Sequence, residues 1–247
     1  MFSFFTRKKE FSTTSIFSFL QVDLHSHLLA GIDDGVQTES QALEIIELFQ
    51  QYGYRKIITT PHILWDFYKN TPEIIRTKLE KLRFFLQENQ IDLPVEAAAE
   101  YYVDEHFLQM LQNHENLLCF GEKKYLLFET GFLNYPAFWE EAIFLIKANG
   151  YQPVLAHPER YVYVQNDFNF LEKVLELGVL LQVNMLSLIG YYSLEAKKTA
   201  EKIIDANLAH FLATDCHHIR QAKTLQNLVQ SPFFRKVQNY KWLNQSL

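Results

Sequence analysis

Histidines and carboxylates follow the apolar, strand-like runs of this chain at six separate places. The segments are DLHSH at 23–27, TPH at 60–62, AAAE at 97–100, FET at 128–130, AHPER at 156–160 and TDCH at 214–217. These residue types hold divalent cations such as manganese, iron and zinc. A parallel barrel brings the carboxyl ends of its strands to one face. The pattern therefore predicts an enzyme with a polynuclear metal centre.

Apolar runs alternate with amphipathic helical patterns from residue 20 onward. The predicted strands are 21–25, 56–60, 94–98, 125–129, 153–156, 180–183 and 210–213, and the predicted helices are 38–52, 73–89, 105–112, 137–148, 168–177, 194–207 and 219–229. Such alternation is typical of parallel strands joined by right-handed crossovers. An open, doubly wound sheet would place ligands at one switch point rather than at six strand ends. We therefore predict an α/β fold with a closed or nearly closed barrel.

The length of 247 residues suits one barrel domain, and we predict an N-terminal extension over 1–20 followed by a single domain over 21–247. The extension carries aromatics and the basic run 7–9, but it resembles no signal peptide and is too short to span a bilayer. We expect it to pack on the bottom of the barrel, with a membrane surface or a neighbouring subunit as alternatives. Cys119 and Cys216 have no paired spacing, which favours a reducing, cytoplasmic location.

The net charge of −6 and the absence of a basic stripe argue against a nucleic-acid partner. A phosphorylated substrate is compatible with this charge, because bound cations would reverse its sign locally.

Several candidate ligands follow from position alone. His25 and His27 are two apart on a strand and so share a face, as do Asp215 and His217, and Asp23 could orient an imidazole. Runs ending in His62, Glu100, Glu129 and His157 supply the others. In the turn GIDDG either Asp33 or Asp34 could face inward. A single carboxylate at the end of a strand would more simply be a solvated residue at the edge of the barrel. The whole set of histidines and carboxylates favours a metal site.

Two arginines follow the last histidine segments. Arg160 can grip phosphoryl oxygens bidentately, and Arg220 is either a second clamp or a helix-surface residue. Aromatic residues in the loops after the ligands could flank a substrate ring or simply cap the core; they are Trp65, Phe67, Tyr68, Phe132 and Tyr135. Neither cysteine begins a C-x5-R loop, which disfavours a cysteine-based phosphatase.

Together these motifs resemble the polymerase and histidinol phosphatase (PHP) superfamily. VDLHSHLLAGIDDG, ITTPH and LAHPERY are similar to the metal-dependent protein-tyrosine phosphatases of bacterial capsule and exopolysaccharide loci, and the resemblance covers residues 21–225. It implies a distorted seven-stranded TIM-like barrel with three cations, manganese or iron, with zinc or magnesium as alternatives. The implied ligands are His25, His27, Asp34, His62, Glu100, Glu129, His157, Asp215 and His217. Arg160 matches a substrate-phosphate arginine, whereas Arg220 stands closer to the D-x-H motif than the second arginine of relatives, with Lys223 nearby.

The resemblance implies that a metal-activated hydroxide attacks the phosphorus of phosphotyrosine, on the tail of a capsule-assembly tyrosine kinase. Three alternatives stay open from the sequence. One is a small-molecule phosphatase of the histidinol-phosphate type, another is a nuclease or amidohydrolase, and the last is a non-catalytic, metal-binding regulatory or scaffold protein. No transmembrane segment is expected, although peripheral membrane proximity is compatible with the aromatic extension.

Overall fold

Parallel strands and helices alternate along the computed structural model, which describes residues 15–135 and 137–247. The strands are β1 (Val22–Asp23), β2 (Lys56–Thr59), β3 (His62–Ile63), β4 (Val95–Ala97), β5 (Glu100–Tyr102), β6 (Tyr125–Glu129), β7 (Gln152–Ala156), β8 (Leu180–Asn184) and β9 (Phe211–Ala213). All pairings between these strands are parallel. The predicted α/β class is thereby confirmed.

The strands pair in the orders β1-β2-β4 and β3-β5-β6-β7-β8-β9. The predicted strand 56–60 ends one residue early, and the chain resumes as β3 after Pro61, which has no N–H to donate. A second break at Ala98–Ala99 separates β4 from β5. The described residues therefore contain more strand segments than predicted, because β3 and β5 begin at His62 and Glu100, beyond the predicted strands 56–60 and 94–98.

The strands β1 and β9 face each other across a gap in the backbone ladder. Towards the carboxyl end, a single parallel bridge joins Ser26 to Cys216. Towards the amino end, the side chain of Asn244 donates to the carbonyls of Val22 and Leu212 at 2.9 and 2.7 Å and accepts from the Leu212 N–H at 3.1 Å. One buried side chain thus satisfies backbone groups that no strand reaches.

Helices connect the strands and cover their outer faces. They are α1 (Glu39–Gln51), α2 (Pro72–Glu88), α3 (Glu105–Gln112), α4 (Trp139–Ala148), α5 (Val162–Asn166), α6 (Phe170–Glu176), α7 (Leu194–Asp205), α8 (Ile219–Thr224) and α9 (Phe234–Asn239). The sequence did not predict α5 and α9, because five or six residues are too few to show helical periodicity. The predicted helix 219–229 ends at Thr224 and continues as a 3-10 turn.

Two apolar clusters form the core. The larger lies between strands and helices, and the smaller includes Leu127, Val154 and Phe211, with Phe120 and Tyr125 beside them. Leu243 and Leu247 pack against this smaller cluster from the C-terminal segment. Apolar side chains therefore fill the amino end of the strands, which leaves the carboxyl end for polar groups.

Part of the predicted N-terminal extension packs on the domain. Phe17 and Leu20 are fully buried, and the Phe17 ring meets the Tyr52 ring edge-on at 5.4 Å, just past the end of α1. Residues 1–14, including the basic run at 7–9, lie outside the described residues. Across the described parts of the chain, no helix combines the length and the apolar character needed to cross a membrane.

Candidate metal centre

The nine side chains implied by the resemblance converge at the carboxyl ends of the strands. They form four overlapping groups whose ligand atoms lie within 4.8 Å of one another: His27, Asp34, His62 and His217; His25, His27 and Glu100; His25, His157 and Asp215; His62, Glu100 and Glu129. His25 and Glu100 each belong to two of these groups, so the groups overlap. The structure thus brings the whole predicted set together, while the role of each residue as a ligand remains a prediction.

His25 and His27 lie side by side, as their spacing predicts, with their Nε2 atoms 3.4 Å apart. Their Nδ1 atoms are held from behind, by Gln182 Oε1 at 2.9 Å and by Asp33 Oδ2 at 2.8 Å. Such partners fix the ring orientation and leave Nε2 directed at the cluster. Asp23 does not take the orienting role that we expected, because its carboxylate accepts from the N–H and hydroxyl of Thr214.

The turn GIDDG separates the roles of its two aspartates. Asp33 is buried against His27, whereas Asp34 Oδ1 lies 3.5 Å from Nε2 of both His62 and His217. A Cβ at Gly35 would stand only 2.2 Å from the His27 carbonyl oxygen, so only glycine permits this close approach. The geometry places Asp34 among the candidate ligands and Asp33 behind them.

Glu100 lies at the centre of the cluster and is fully buried. Its Oε2 is 3.1 Å from His25 Nε2 and 3.2 Å from His62 Nδ1, and Glu129 Oε1 is 3.1 Å from the same His62 atom. Even so, Glu100 Oε2 and His62 Nδ1 form no hydrogen bond with the described residues. Buried polar atoms are rarely left in this state. Close lone-pair donors without hydrogen bonds are what a shared cation requires, so these residues fit a metal.

The carboxylates and imidazoles of the cluster shift one another's pKa values, because each stabilises the charged form of the other. Burial by itself would raise the pKa of Glu100, but the charges of His25 and His62 hold it well below its usual range. Burial would likewise lower the pKa of His62, yet Glu100 and Glu129 raise it to about 9. A proton therefore occupies the His62 imidazole when no cation does, and a cation would displace it.

Two of the candidate ligands have strained backbones. His157 (φ 33°) and Asp215 (φ 50°) both have left-handed backbone conformations, which residues with a β-carbon rarely adopt. Each lies just beyond the end of a strand, β7 and β9. Backbone strain of this kind collects at functional sites, where the surrounding structure enforces it.

Arg160 is held at the edge of the cluster by charge and by stacking. Its Nη1 donates to Asp215 Oδ2 at 2.7 Å, and its guanidinium lies between the rings of Phe132 and Tyr192, at 4.7 and 4.1 Å. Asn184 Nδ2 also donates to Asp215 Oδ2, at 2.9 Å. The other oxygen, Oδ1, remains 3.4 Å from Nε2 of both His25 and His27. Asp215 thus offers one oxygen to the cluster and one to Arg160.

The structure does not bring Arg220 to the metal centre. His218 caps the start of α8, and Arg220, the second residue of that helix, is exposed, as is Lys223. Neither lines the cavity at the metal centre. The prediction of Arg220 as a catalytic phosphate clamp is not supported by this geometry, because the short helix carries its side chain to the surface.

A cavity of about 310 Å³ opens above the cluster, and Arg160 forms part of its wall. Of the aromatics singled out in the sequence, Phe67, Tyr68 and Phe132 line it. Trp65 instead stacks on His106 at 3.9 Å, and Tyr135 packs edge-on against Phe170. An aromatic wall beside an arginine and a carboxylate–imidazole cluster suits a phosphorylated aryl group.

Sequence reasoning missed the residues that support the cluster. Gln182 and Asn184 are polar residues two apart on β8, both fully buried, and each holds a predicted ligand. That alternation in the run LLQVN was a usable signal. Tyr192 was not foreseeable, because its contact with Arg160 depends on how the loop after β8 folds back.

Comparison with known proteins agrees with this geometry. Residues 21–231 match the family model described as capsular polysaccharide synthesis, CpsB/CapC. The chain is 30% identical to the putative tyrosine-protein phosphatase CapC of Staphylococcus aureus, over 80% of this chain and 77% of that one. It is 31% identical to the tyrosine-protein phosphatase YwqE of Bacillus subtilis, over 81% and 78% of the two chains.

The fold is similar as well. One solved structure superposes on this chain with a TM-score of 0.79. It comes from work on YwqE from Bacillus subtilis and CpsB from Streptococcus pneumoniae, which are described there as metal-dependent tyrosine phosphatases. It is 29% identical and covers 91% of this chain and 90% of that one. On these matches, the chain belongs to the CpsB/CapC family of capsular polysaccharide synthesis proteins.

Proposed function

We propose that this protein is a metal-dependent protein-tyrosine phosphatase acting in capsular or exopolysaccharide biosynthesis. One observation carries the proposal: Glu100 Oε2 and His62 Nδ1 are buried 3.2 Å apart, and neither forms a hydrogen bond within residues 15–135 and 137–247. The relatives described as tyrosine-protein phosphatases support the reaction. The proposed ligands are the nine converging residues, His25, His27, Asp34, His62, Glu100, Glu129, His157, Asp215 and His217.

The overlap between the ligand groups favours more than one cation, and we assign three. A mixture of imidazoles and carboxylates suits manganese or iron, with zinc and magnesium as alternatives. Divalent cations at such a centre supply Lewis-acid chemistry, which polarises a phosphoryl oxygen and lowers the pKa of water.

Residues of the chain supply the rest of the mechanism. The contacts of the Arg160 guanidinium with the Phe132 and Tyr192 rings hold its donors in place for the equatorial oxygens of a phosphoryl group. Phe67 and Tyr68 line the cavity and would contact a phenyl ring bound there. The phenol of tyrosine has a pKa of about 10, so it leaves with less protonation than a serine alkoxide would need.

The proposed substrate is a phosphotyrosyl protein, and we assign it to the tail of a capsule-assembly tyrosine kinase, encountered in the cytoplasm. Support for a protein substrate comes from the relatives described as tyrosine-protein phosphatases. A cavity that is open towards the surface beside exposed aromatics is compatible with a side chain presented by a protein.

The test is phosphate release from a phosphotyrosyl peptide by manganese-loaded protein, with and without a chelator. Chelator-sensitive release is the expected result, at a higher kcat/KM than for a matched phosphoseryl peptide. Faster release from histidinol phosphate would replace the proposal by a small-molecule phosphatase. Confirmed metal loading without any release would contradict catalysis and favour a regulatory or scaffold protein.

A further inference from the structure

A second, shallower cavity of about 390 Å³ lies beside the metal centre, and we name it the flanking groove. Phe132 and Arg160 line both cavities. Beyond them the flanking groove is lined by Val162 and Gln165 of α5 and by Glu195 in the first turn of α7. Arg160, which is proposed to bind phosphate, therefore forms the wall between the two cavities together with Phe132.

That wall is held in place from several sides. The Phe132 carbonyl accepts from the Val162 N–H at 2.8 Å, and the Phe132 ring stacks on His157 at 5.8 Å. Arg160 is fixed between Phe132 and Tyr192. Phe132 is also 40% exposed, and it lines both cavities, so it forms a rim that the two cavities share. Both cavities are thus parts of one preformed surface.

The charges in the flanking groove are unequal. Arg160 already has an ion-pair partner, Asp215, at 2.7 Å. Glu195 is exposed, and it forms no ion pair with any residue in 15–135 or 137–247. Glu195 is therefore the charged side chain of the groove that is available to pair with a ligand. A basic side chain placed there would be attracted, and an acidic one would be repelled.

We propose that the flanking groove binds the residue next to the phosphotyrosine of a protein substrate and selects a basic side chain at that position. This inference rests on the proposed function, since it requires a phosphotyrosine in the first cavity. The 310 Å³ cavity has room for the phosphorylated side chain, and a main chain that leaves it across the Phe132 rim enters the flanking groove. The flanking groove is the concave surface on the other side of that rim.

The test compares phosphotyrosyl peptides that differ only in one residue, lysine, alanine or glutamate, placed directly before or directly after the phosphotyrosine. The variants are Glu195→Lys and Glu195→Gln. Glu172→Lys is the matched control, because Glu172 is also an exposed acidic residue in the first turn of a helix but does not line the groove. The compound p-nitrophenyl phosphate serves as a substrate without flanking residues.

For one of the two positions, we expect the unmodified protein to prefer the lysine peptide over alanine by about fivefold in kcat/KM, equivalent to about 1 kcal/mol for a charge pair at 4 Å in water. Glu195→Gln should abolish the preference, Glu195→Lys should invert it, and Glu172→Lys should retain it. Turnover of p-nitrophenyl phosphate should be equal in all four proteins, and the preference should fall in 1 M salt.

Identical peptide preferences in the unmodified protein and Glu195→Lys, with p-nitrophenyl phosphate still hydrolysed, would overturn the flanking groove and leave the phosphatase intact. Failure to hydrolyse either kind of substrate would instead overturn the proposed function itself. The two failures are therefore distinguishable in one experiment.

Discussion

The two ends of the strands differ in whether their buried polar groups are hydrogen-bonded. At the carboxyl end, buried polar atoms such as Glu100 Oε2 form no hydrogen bond with the described residues, and His157 and Asp215 have strained backbones. At the amino end, Asn244 satisfies the open backbone groups of β1 and β9, and an apolar cluster fills the space between the strands. Groups left unsatisfied at one end are available to a ligand, while satisfied groups at the other end stabilise the fold.

Changes at the two ends should therefore affect different measurements. Substitutions at the carboxyl end should alter metal content and turnover with little effect on the free energy of unfolding. Substitutions at the amino end should do the reverse.

The largest effect should come from His157→Ala. Its Nε2 lies 3.0 Å from Glu100 Oε1 inside the cluster, so its loss removes one ligand. We expect metal affinity to fall by at least about 100-fold, the upper range seen when only a supporting partner is lost, and turnover to fall with it. Metal content by mass spectrometry checks this, with His106→Ala, a half-buried histidine outside the cluster, as the control. A variant that keeps the full metal complement would refute ligation by His157.

Arg160→Ala should separate turnover from metal binding. Loss of a pre-oriented donor to the phosphoryl group should lower phosphate release by about 1000-fold, while metal content stays unchanged. Arg220→Ala is the matched control, and its exposed position predicts less than about a twofold change. Equal losses in both variants would place Arg220 at the substrate after all.

Asn244→Ala tests the amino end. It removes three hydrogen bonds and leaves backbone groups of Val22 and Leu212 buried without partners. We expect the free energy of unfolding to fall by about 3 kcal/mol, with unchanged kcat for the folded fraction. Denaturant titration gives the first value. Asn239→Ala, whose exposed side chain bonds only Arg235, is the control, and a comparable loss there would remove the special role of Asn244.

Tyr192→Leu should weaken catalysis without affecting stability strongly. It removes one face of the stack that orients Arg160, worth about 1 kcal/mol, so kcat/KM should drop by about fivefold. Tyr192→Phe retains the ring and should recover most of the activity. Tyr191→Leu, at an exposed neighbour, should change little. If Tyr192→Phe is as impaired as Tyr192→Leu, the hydroxyl rather than the stacking is responsible.

The smallest expected effect concerns pH at the amino end. Burial lowers the pKa of His210, whose Nδ1 accepts from the Leu181 N–H. The unfolded chain therefore binds a proton that the folded chain resists. This stabilisation is present above the ordinary pKa of about 6.5 and is lost as pH falls towards the folded value. His210→Gln should flatten the dependence of the unfolding free energy on pH below about 6.5 in unfolding titrations. An unchanged slope would exclude His210 as its origin.

Local pattern predicted much of the fold and the site. Period-two spacing placed His25 and His27 together, and apolar runs located β6, which carries Glu129, and β4, which ends shortly before Glu100. These successes depend on the rule that parallel strands share a carboxyl edge. That rule needs no knowledge of distant contacts.

What the sequence could not determine depends on contacts between distant segments. Asp34 rather than Asp33 faces the cluster because Gly35 lets the turn press on His27. Asp23 meets Thr214, 191 residues away, in place of an imidazole. The positive φ of His157 leaves no mark on its neighbours in sequence, because the folded surroundings impose it.

The bond between Asn244 and Val22 spans 222 residues, which constrains the order of assembly. During synthesis β1 can pair with β2 early, but its other flank has no partner until β9 and Asn244 have left the ribosome. Contacts of such long separation slow folding and leave strand edges exposed in the meantime. A nascent chain of this protein should therefore depend on chaperones until Asn244 has emerged.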